Sequence, residues 1–198
     1  MRKNALKPVA THGVPSGQPR LHQRGREIQA FGTVRRSLLG LSDEARLYSC
    51  QRLNQLLADT HILHALYKNH HWVMRGPGFY QLHLLFEKHA GEQIELVDEI
   101  AERIQALGGV AVGDPRHVAE ITRIPRAPNG CEAVPAMLSR LLQAHELILL
   151  DGHDAATSFT EQGDDGTKDL IVSEVIRIGD TQVWSLAEYL ANAPLVRG

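Results

Sequence analysis

Four side chains able to hold a metal ion lie in one short stretch: His83, Glu87, Asp98 and Glu102. His83 and Glu87 are four residues apart, as are Asp98 and Glu102, so on a helix each pair shares a face. At about 100° per residue, all four fall within an arc of roughly 100°. Ile94 and Ala101 share that stripe, which predicts that it packs against protein rather than water. Imidazoles and carboxylates in such a place need partners, because an unpaired buried charge costs several kcal/mol. Taken singly, His83–Glu87 is also what an ordinary ion pair looks like, and Asp98 with Glu102 what a solvated acidic edge looks like.

The spacing decides what these residues can do together. Glu87 and Asp98 are eleven residues apart, about 16 Å along a helix. A dinuclear centre needs its ions about 3.5–4 Å apart, so one straight helix cannot assemble it. A second copy lying antiparallel across the first can. The pairs His83/Glu102 and Glu87/Asp98 are both centred between Glu92 and Gln93, so a two-fold crossing there sets each residue beside its mate. Gly91, beside the crossing, permits close backbone approach. His71, twelve residues before His83 across a Gly-Pro-Gly turn, is the remaining ligand candidate. Two imidazoles and three carboxylates suit iron, manganese or zinc better than calcium or copper, and open positions favour redox-active iron.

The elements that must position these residues are helices. Ser42 is a good N-cap, followed by Asp43 and Glu44 in a first turn. Leu47, Cys50, Leu53, Leu57 and Leu63 then follow a helical period until Gly76-Pro77 stops it. A second helix is predicted from about Phe79 to Leu107, closed by Gly108-Gly109. The Pro-rich connection after it has room for one short helix at His117 to Thr122. A third helix is predicted over Glu132–Thr160, a break at Gly163-Asp164-Asp165-Gly166, and a fourth helix over Thr167–Leu190. No alternating segment bounded by hairpin turns calls for strands. An all-α four-helix bundle over residues 41–198 is the expected domain.

Composition sets the remaining bounds. The chain has 198 residues, 43% of them apolar, enough for one domain with a sizeable core. It has no apolar run long enough for a membrane-spanning helix, and Met1 to Ala10 lacks the apolar segment of a secretory signal. Two cysteines are too few for a disulfide framework, so reduced thiols and a cytoplasmic setting are expected. Charge is unevenly placed. Up to Arg36 there are eight basic residues against one acid, while the whole chain carries −2. Residues 1–40 therefore read as a basic, flexible arm on an acidic body, ordered at most near Phe31 to Leu41.

His71-Trp72, Arg75-Gly76-Pro77, Phe79, Leu82-His83, Glu87, then Asp98-Glu99-Ile100-Ala101-Glu102-Arg103 and Leu107-Gly108-Gly109 closely resemble the Dps family (DNA-binding protein from starved cells), small relatives of ferritin. The resemblance covers roughly residues 42–193. It implies a ferritin-like four-helix subunit with a short helix in the middle connection, assembled as a hollow homododecamer. It implies an inter-subunit ferroxidase centre with His71, His83 and Glu87 from one subunit and Asp98 and Glu102 from its mate. The implied activity is oxidation of Fe(II) by hydrogen peroxide, storage of ferric mineral in the cage and protection of DNA from oxidative damage, with zinc as a surrogate metal. Glu87 stands where many relatives carry Asp, one methylene longer. Trp72 reads as a core aromatic and, by resemblance, as the tryptophan beside the iron centre. Asp164, Asp165 and Asp169 match the position of a three-fold pore lined by acids, Asp169 being the best candidate.

The arm candidates for nucleic acid are Arg2, Lys3, Lys7, Arg20, Arg24 and Arg26. Such charges neutralise phosphates without reading bases, so DNA binding through them would be non-specific and nucleoid-associated. The alternative function is a DNA-compacting protein whose metal site is structural or vestigial. His61, His64, His145 and His153 read as surface or core-bonded imidazoles, and Cys50 as a small buried hydrophobe.

Overall fold

The computed structural model describes residues 25–191. Helix α1 runs Asp43–Val73, α2 Phe79–Ala106, the short α3 Pro115–Ile121 and α4 Val134–Glu161. A final rod is built from α5 (Asp165–Leu170), a π-helical segment (Ile171–Ile176) and α6 (Arg177–Glu188). No strand occurs among the described residues. Four long helical rods with one short helix in the middle connection match the expected architecture.

The ends follow local chemistry. Ser42 Oγ accepts from the Ala45 amide at 3.0 Å, with Asp43 and Glu44 in the first turn. Gly76 and Gly78, at φ of 97° and 78°, make the tight reversal into α2 that a β-carbon would strain. At the other end of α2, Gly109 N donates to Ile104 O at 2.9 Å and Gly108 sits at φ 86°. Pro135, rather than Glu132, marks the first turn of α4.

One buried apolar core joins all four rods, with Leu57, Phe86, Ile100, Leu141, Phe159 and Leu186 fully enclosed. Burial pushes the Cys50 thiol up to about 11, so it remains a protonated packing group. Glycine brings α4 and the last rod close together: a β-carbon on Gly179 would stand 2.9 Å from Leu149 Cδ2. The π-helical segment departs from the single regular helix expected here. Its wider turn rotates the following stripe, keeping Ile176, Gly179 and Gln182 all buried.

Two buried carboxylates tie connections to the bundle. Asp59 on α1 accepts from Thr122 Oγ1 at 2.7 Å and from the Arg123 amide at 2.8 Å, and Arg123 reaches on to Asp151 at 2.8 Å. This anchors the chain leaving α3 to both α1 and α4. Asp164, 1% exposed, accepts from Ser49 Oγ at 2.7 Å, from Thr167 through amide and hydroxyl, and pairs with Arg103 at 2.6 Å. In the protomer it is therefore a helix cap and interhelical tie, which corrects its expected place as a pore acid. Asp165 and Asp169 are exposed.

The basic arm divides. Arg2, Lys3, Lys7, Arg20 and Arg24 lie outside the described residues, and Arg26 is exposed. The part that follows is tied down rather than free. Arg35 N and Gln29 Nε2 both donate to Gly108 O at 2.8 Å, and Phe31 packs edge-on against His117 at 4.6 Å. Gln29, Phe31 and Arg35, which the sequence places in the arm, thus pack against the bundle.

Burial alone would raise the Asp164 carboxyl, but hydrogen bonds from Ser49 and Thr167 and the Arg103 charge hold it below its ordinary value. Its stabilisation is thus present above the usual carboxylate range, near about 3.9, and is lost as pH falls through the lowered value. Asp164→Asn should cost about 3–5 kcal/mol at neutral pH, because it leaves Arg103 without its charge partner. Urea melts should show the gap to the parent closing on acidification. A gap independent of pH would assign the loss to packing.

Candidate metal centre

The candidate ligands sit where α1 and α2 run antiparallel, and their geometry begins with an exchange of hydrogen bonds. His71 Nδ1 lies 2.8 Å from the carbonyl of His83, and His83 Nδ1 lies 3.0 Å from the carbonyl of His71. A carbonyl only accepts, so both imidazoles carry a proton on Nδ1, which leaves Nε2 as the nitrogen able to coordinate an ion. The two rings stack with centroids 3.7 Å apart, and Phe79 stacks on His83 at 5.0 Å. One turn-pair further along, His64 Nδ1 makes the same kind of contact with the carbonyl of Ala90 at 3.0 Å. Holding one imidazole nitrogen on a carbonyl while the other faces outward is how proteins orient metal-binding histidine.

Glu87 completes this half-site. Its Oε2 lies 3.4 Å from His71 Nε2 and is also hydrogen-bonded by the Lys68 ammonium. The Lys68 hydrogen bond holds the Glu87 carboxyl below its ordinary value, so it is a carboxylate at neutral pH. Lys68 also lies 6.0 Å from the Trp72 ring. Trp72 is 68% exposed in the protomer, so it is not the core aromatic expected from its size. The sequence reading passed over Lys68, although a cation three residues before His71 must share its helical face.

Asp98 and Glu102 are on the same α2 rod but are not brought to this cluster. The helix is continuous from Phe79 to Ala106, so the separation of about 16 Å along its axis stands. Among the described residues, no group of three or more His, Cys, Asp or Glu side chains is arranged to hold an ion within one protomer. The stripe between the halves is open: Glu87, Gly91, Asp98 and Glu102 are exposed, and Ile94 is 44% exposed. The packing expected for this stripe is therefore not supplied inside the protomer. Around its far end, burial first, then the charges of Glu174, Glu95, Asp98 and Glu102, raise the Glu99 carboxyl. Such a concentration of carboxylates attracts cations.

The chain matches the ferritin-like domain family over residues 50–196. It is similar to DpsC from Streptomyces coelicolor, with 65% identity, a TM-score of 0.86, and coverage of 87% of this chain and 100% of that one. It is 31% identical to DNA protection during starvation protein 2 of Bacillus anthracis over 138 residues, 70% of this chain and 93% of that protein. The Dps structure from Vibrio cholerae O1, described as a ferritin-like diiron-carboxylate protein, is 26% identical, covers 82% of this chain and 99% of its own, and has a TM-score of 0.74. A ferritin-like helical protein is thus the class. Within it, the chain belongs to the Dps family.

Cobalt(II), a spectroscopic stand-in for iron or zinc, tests the half-site by isothermal titration. His71→Ala and His83→Ala should each weaken binding by more than the about 10–100-fold that loss of an outer-shell hydrogen bond costs. Unchanged affinity in both variants would remove these imidazoles from the ligand set.

Proposed function

We propose that this protein oxidises Fe(II) with hydrogen peroxide at centres completed across a two-fold dimer interface, and keeps the ferric product inside a dodecameric shell. The observation that carries this is the half-site itself. His71 and His83 offer two oriented Nε2 atoms beside the Glu87 carboxylate, while Asp98 and Glu102 stand exposed at mirrored positions along the same helix. An antiparallel copy crossing between Glu92 and Gln93 adds its Asp98 and Glu102 to the first protomer's three ligands. It also covers the exposed Ile94 and brings Gly91 to the crossing, where nothing beyond its chain neighbours and its own helix backbone lies within 4 Å of an added β-carbon. Two imidazoles and three carboxylates make a donor set that fits iron.

Iron is substrate here. Two Fe(II) ions give one electron each, and peroxide takes both electrons and two protons as its O–O bond breaks, leaving two waters. The protein's part is to hold the two ions together so that peroxide is not reduced by one electron alone. Glu87 is ionised before iron arrives, and Lys68 must yield its contact as the cation binds. Asp165 and Asp169, both exposed, remain the candidates for an acidic iron-uptake pore. DNA protection would follow from removing Fe(II) and peroxide together, and non-specific DNA binding from Arg2, Lys3, Lys7, Arg20, Arg24 and Arg26 in a cytoplasmic, nucleoid-associated assembly.

One observation favours the second reading, a DNA-compacting protein with a structural, zinc-filled or vestigial site. Lys68 already neutralises the only carboxylate of the half-site. Stopped-flow absorbance with Fe(II) and peroxide separates the two. The Asp98→Ala/Glu102→Ala double variant should slow oxidation by roughly two orders of magnitude, as loss of essential ligands does. Parent-like rates in that variant would leave the second reading standing.

For the arm, a chain lacking residues 1–36 should lose DNA retardation in a gel at about 50 mM salt. Undiminished retardation would place DNA binding on the body of the protein.

A further inference from the structure

The centre of the bundle holds a polar cluster that the iron site does not use. Tyr67 on α1 has no exposed surface, and its hydroxyl lies between two imidazoles. His145 Nε2 on α4 is 2.7 Å away and His89 Nδ1 on α2 is 3.2 Å away. Both rings meet the phenol edge-on, at centroid distances of 5.8 and 5.3 Å. A phenol has one proton, so it can donate to only one of them and must accept from the other. The shorter contact assigns Tyr67 O–H donating to His145 Nε2, and His89 Nδ1–H donating to the phenol oxygen.

The protonation states fit that chain. Burial pushes His145 down to about 3, so its ring is neutral. Burial, with the Glu92 charge second, pushes the Tyr67 phenol well up, so it stays protonated. Packing alone does not call for this arrangement. Apolar rings of similar volume would fill the space without three polar groups to satisfy. What the cluster provides is a phenol with a ready place for its proton.

We propose that Tyr67 and His145 form a one-electron redox station that quenches single-electron oxidants arising at the His71–Glu87 centre. This rests on the iron-oxidation reading given above. Tyr67 precedes His71 by one helical turn, about 6 Å of rise, and its ring lies 6.1 Å from Phe86, the neighbour of Glu87. When a centre holds a single Fe(II), peroxide takes one electron and leaves hydroxide and a hydroxyl radical. The Tyr67 ring gives that radical one electron, turning it into hydroxide. The phenol O–H bond breaks, an N–H bond forms at His145 Nε2, and the cluster holds a neutral tyrosyl radical beside an imidazolium. The His89 N–H bond stays on the radical oxygen. The next Fe(II) returns the electron, and His145 returns the proton.

The test begins with the iron-free assembly, oxidised by photogenerated tris(bipyridine)ruthenium(III) and read by high-field electron paramagnetic resonance. The parent should give a tyrosyl radical whose g-tensor reports a hydrogen-bonded oxygen. That signal should vanish in Tyr67→Phe. It should also fall sharply in His145→Gln, whose amide can accept the hydrogen bond but cannot hold the proton. An unchanged signal in Tyr67→Phe, or in His145→Gln should the first variant fail to fold, overturns the proposal. With one Fe(II) per centre and peroxide, spin trapping should find more hydroxyl adduct in Tyr67→Phe than in the parent. Equal trapping would overturn the quenching role. If the parent oxidises no iron yet forms the Tyr67 radical by light, the iron reading fails while the redox station stands.

Discussion

The exchange of hydrogen bonds between His71 and His83 is the contact on which the rest of the site depends. Each imidazole spends its Nδ1 proton on the other residue's backbone carbonyl, so neither ring can rotate without freeing a donor and an acceptor at once. The same bonds set the register of α1 against α2, since the His64 contact with Ala90 repeats the pattern seven residues along each helix. Ligand orientation and helix packing are therefore one event. A shift of one residue between these helices would lose the stacked rings and the approach of Glu87 to His71 together.

Such a site has to be held by a frame that does not slide, and the frame is fixed by buried carboxylates as much as by apolar packing. Asp164 joins α1, α2 and the start of the last rod through Ser49, Arg103 and Thr167. Asp59 clamps the chain that follows α3, so the long middle connection cannot swing away from α1. Each carboxylate is costly to bury and is retained only because every oxygen finds a donor. Apolar burial alone would tolerate small slips between helices; these directional contacts do not.

Much of this was legible from residue order because helix ends are local. Gly76-Pro77 and Gly108-Gly109 stop α1 and α2 where backbone geometry requires it, and Ser42 caps the start. The shared face of His83 with Glu87, and of Asp98 with Glu102, was legible for the same reason, since four-residue spacing decides which side chains share a face. Burial was harder, because it depends on what lies opposite. Asp164 and Asp165 are adjacent acids in one Gly-flanked break, yet only Asp164 meets Arg103 and Ser49 and goes inside. Trp72 looks like core by size and is exposed because its side of α1 faces no other rod of its own protomer. The π-helical turn has no residue signature here and arises from the need to keep Ile176, Gly179 and Gln182 all inward.

The mismatch along α2 carries the last step. An amphipathic helix normally puts its charge in water and its apolar groups inside, yet here Ile94 and Leu84 share an exposed stripe with three carboxylates and a glycine. As a solvated surface this stripe is poor, because it exposes apolar area and crowds like charges. As a packed surface within the protomer it is worse, because those charges would be buried without partners. Both defects disappear together only if the covering surface is apolar at the same height as Ile94 and bears cations, or imidazoles bridged by cations, at the heights of Asp98 and Glu102. A copy of the same two helices, turned end for end, has that pattern: Ile94 near its centre and the imidazoles of His71 and His83 toward one end. On the proposed reading, the chain carries on one face both halves of a complement to itself, joined by the cation that the unpaired carboxylates attract.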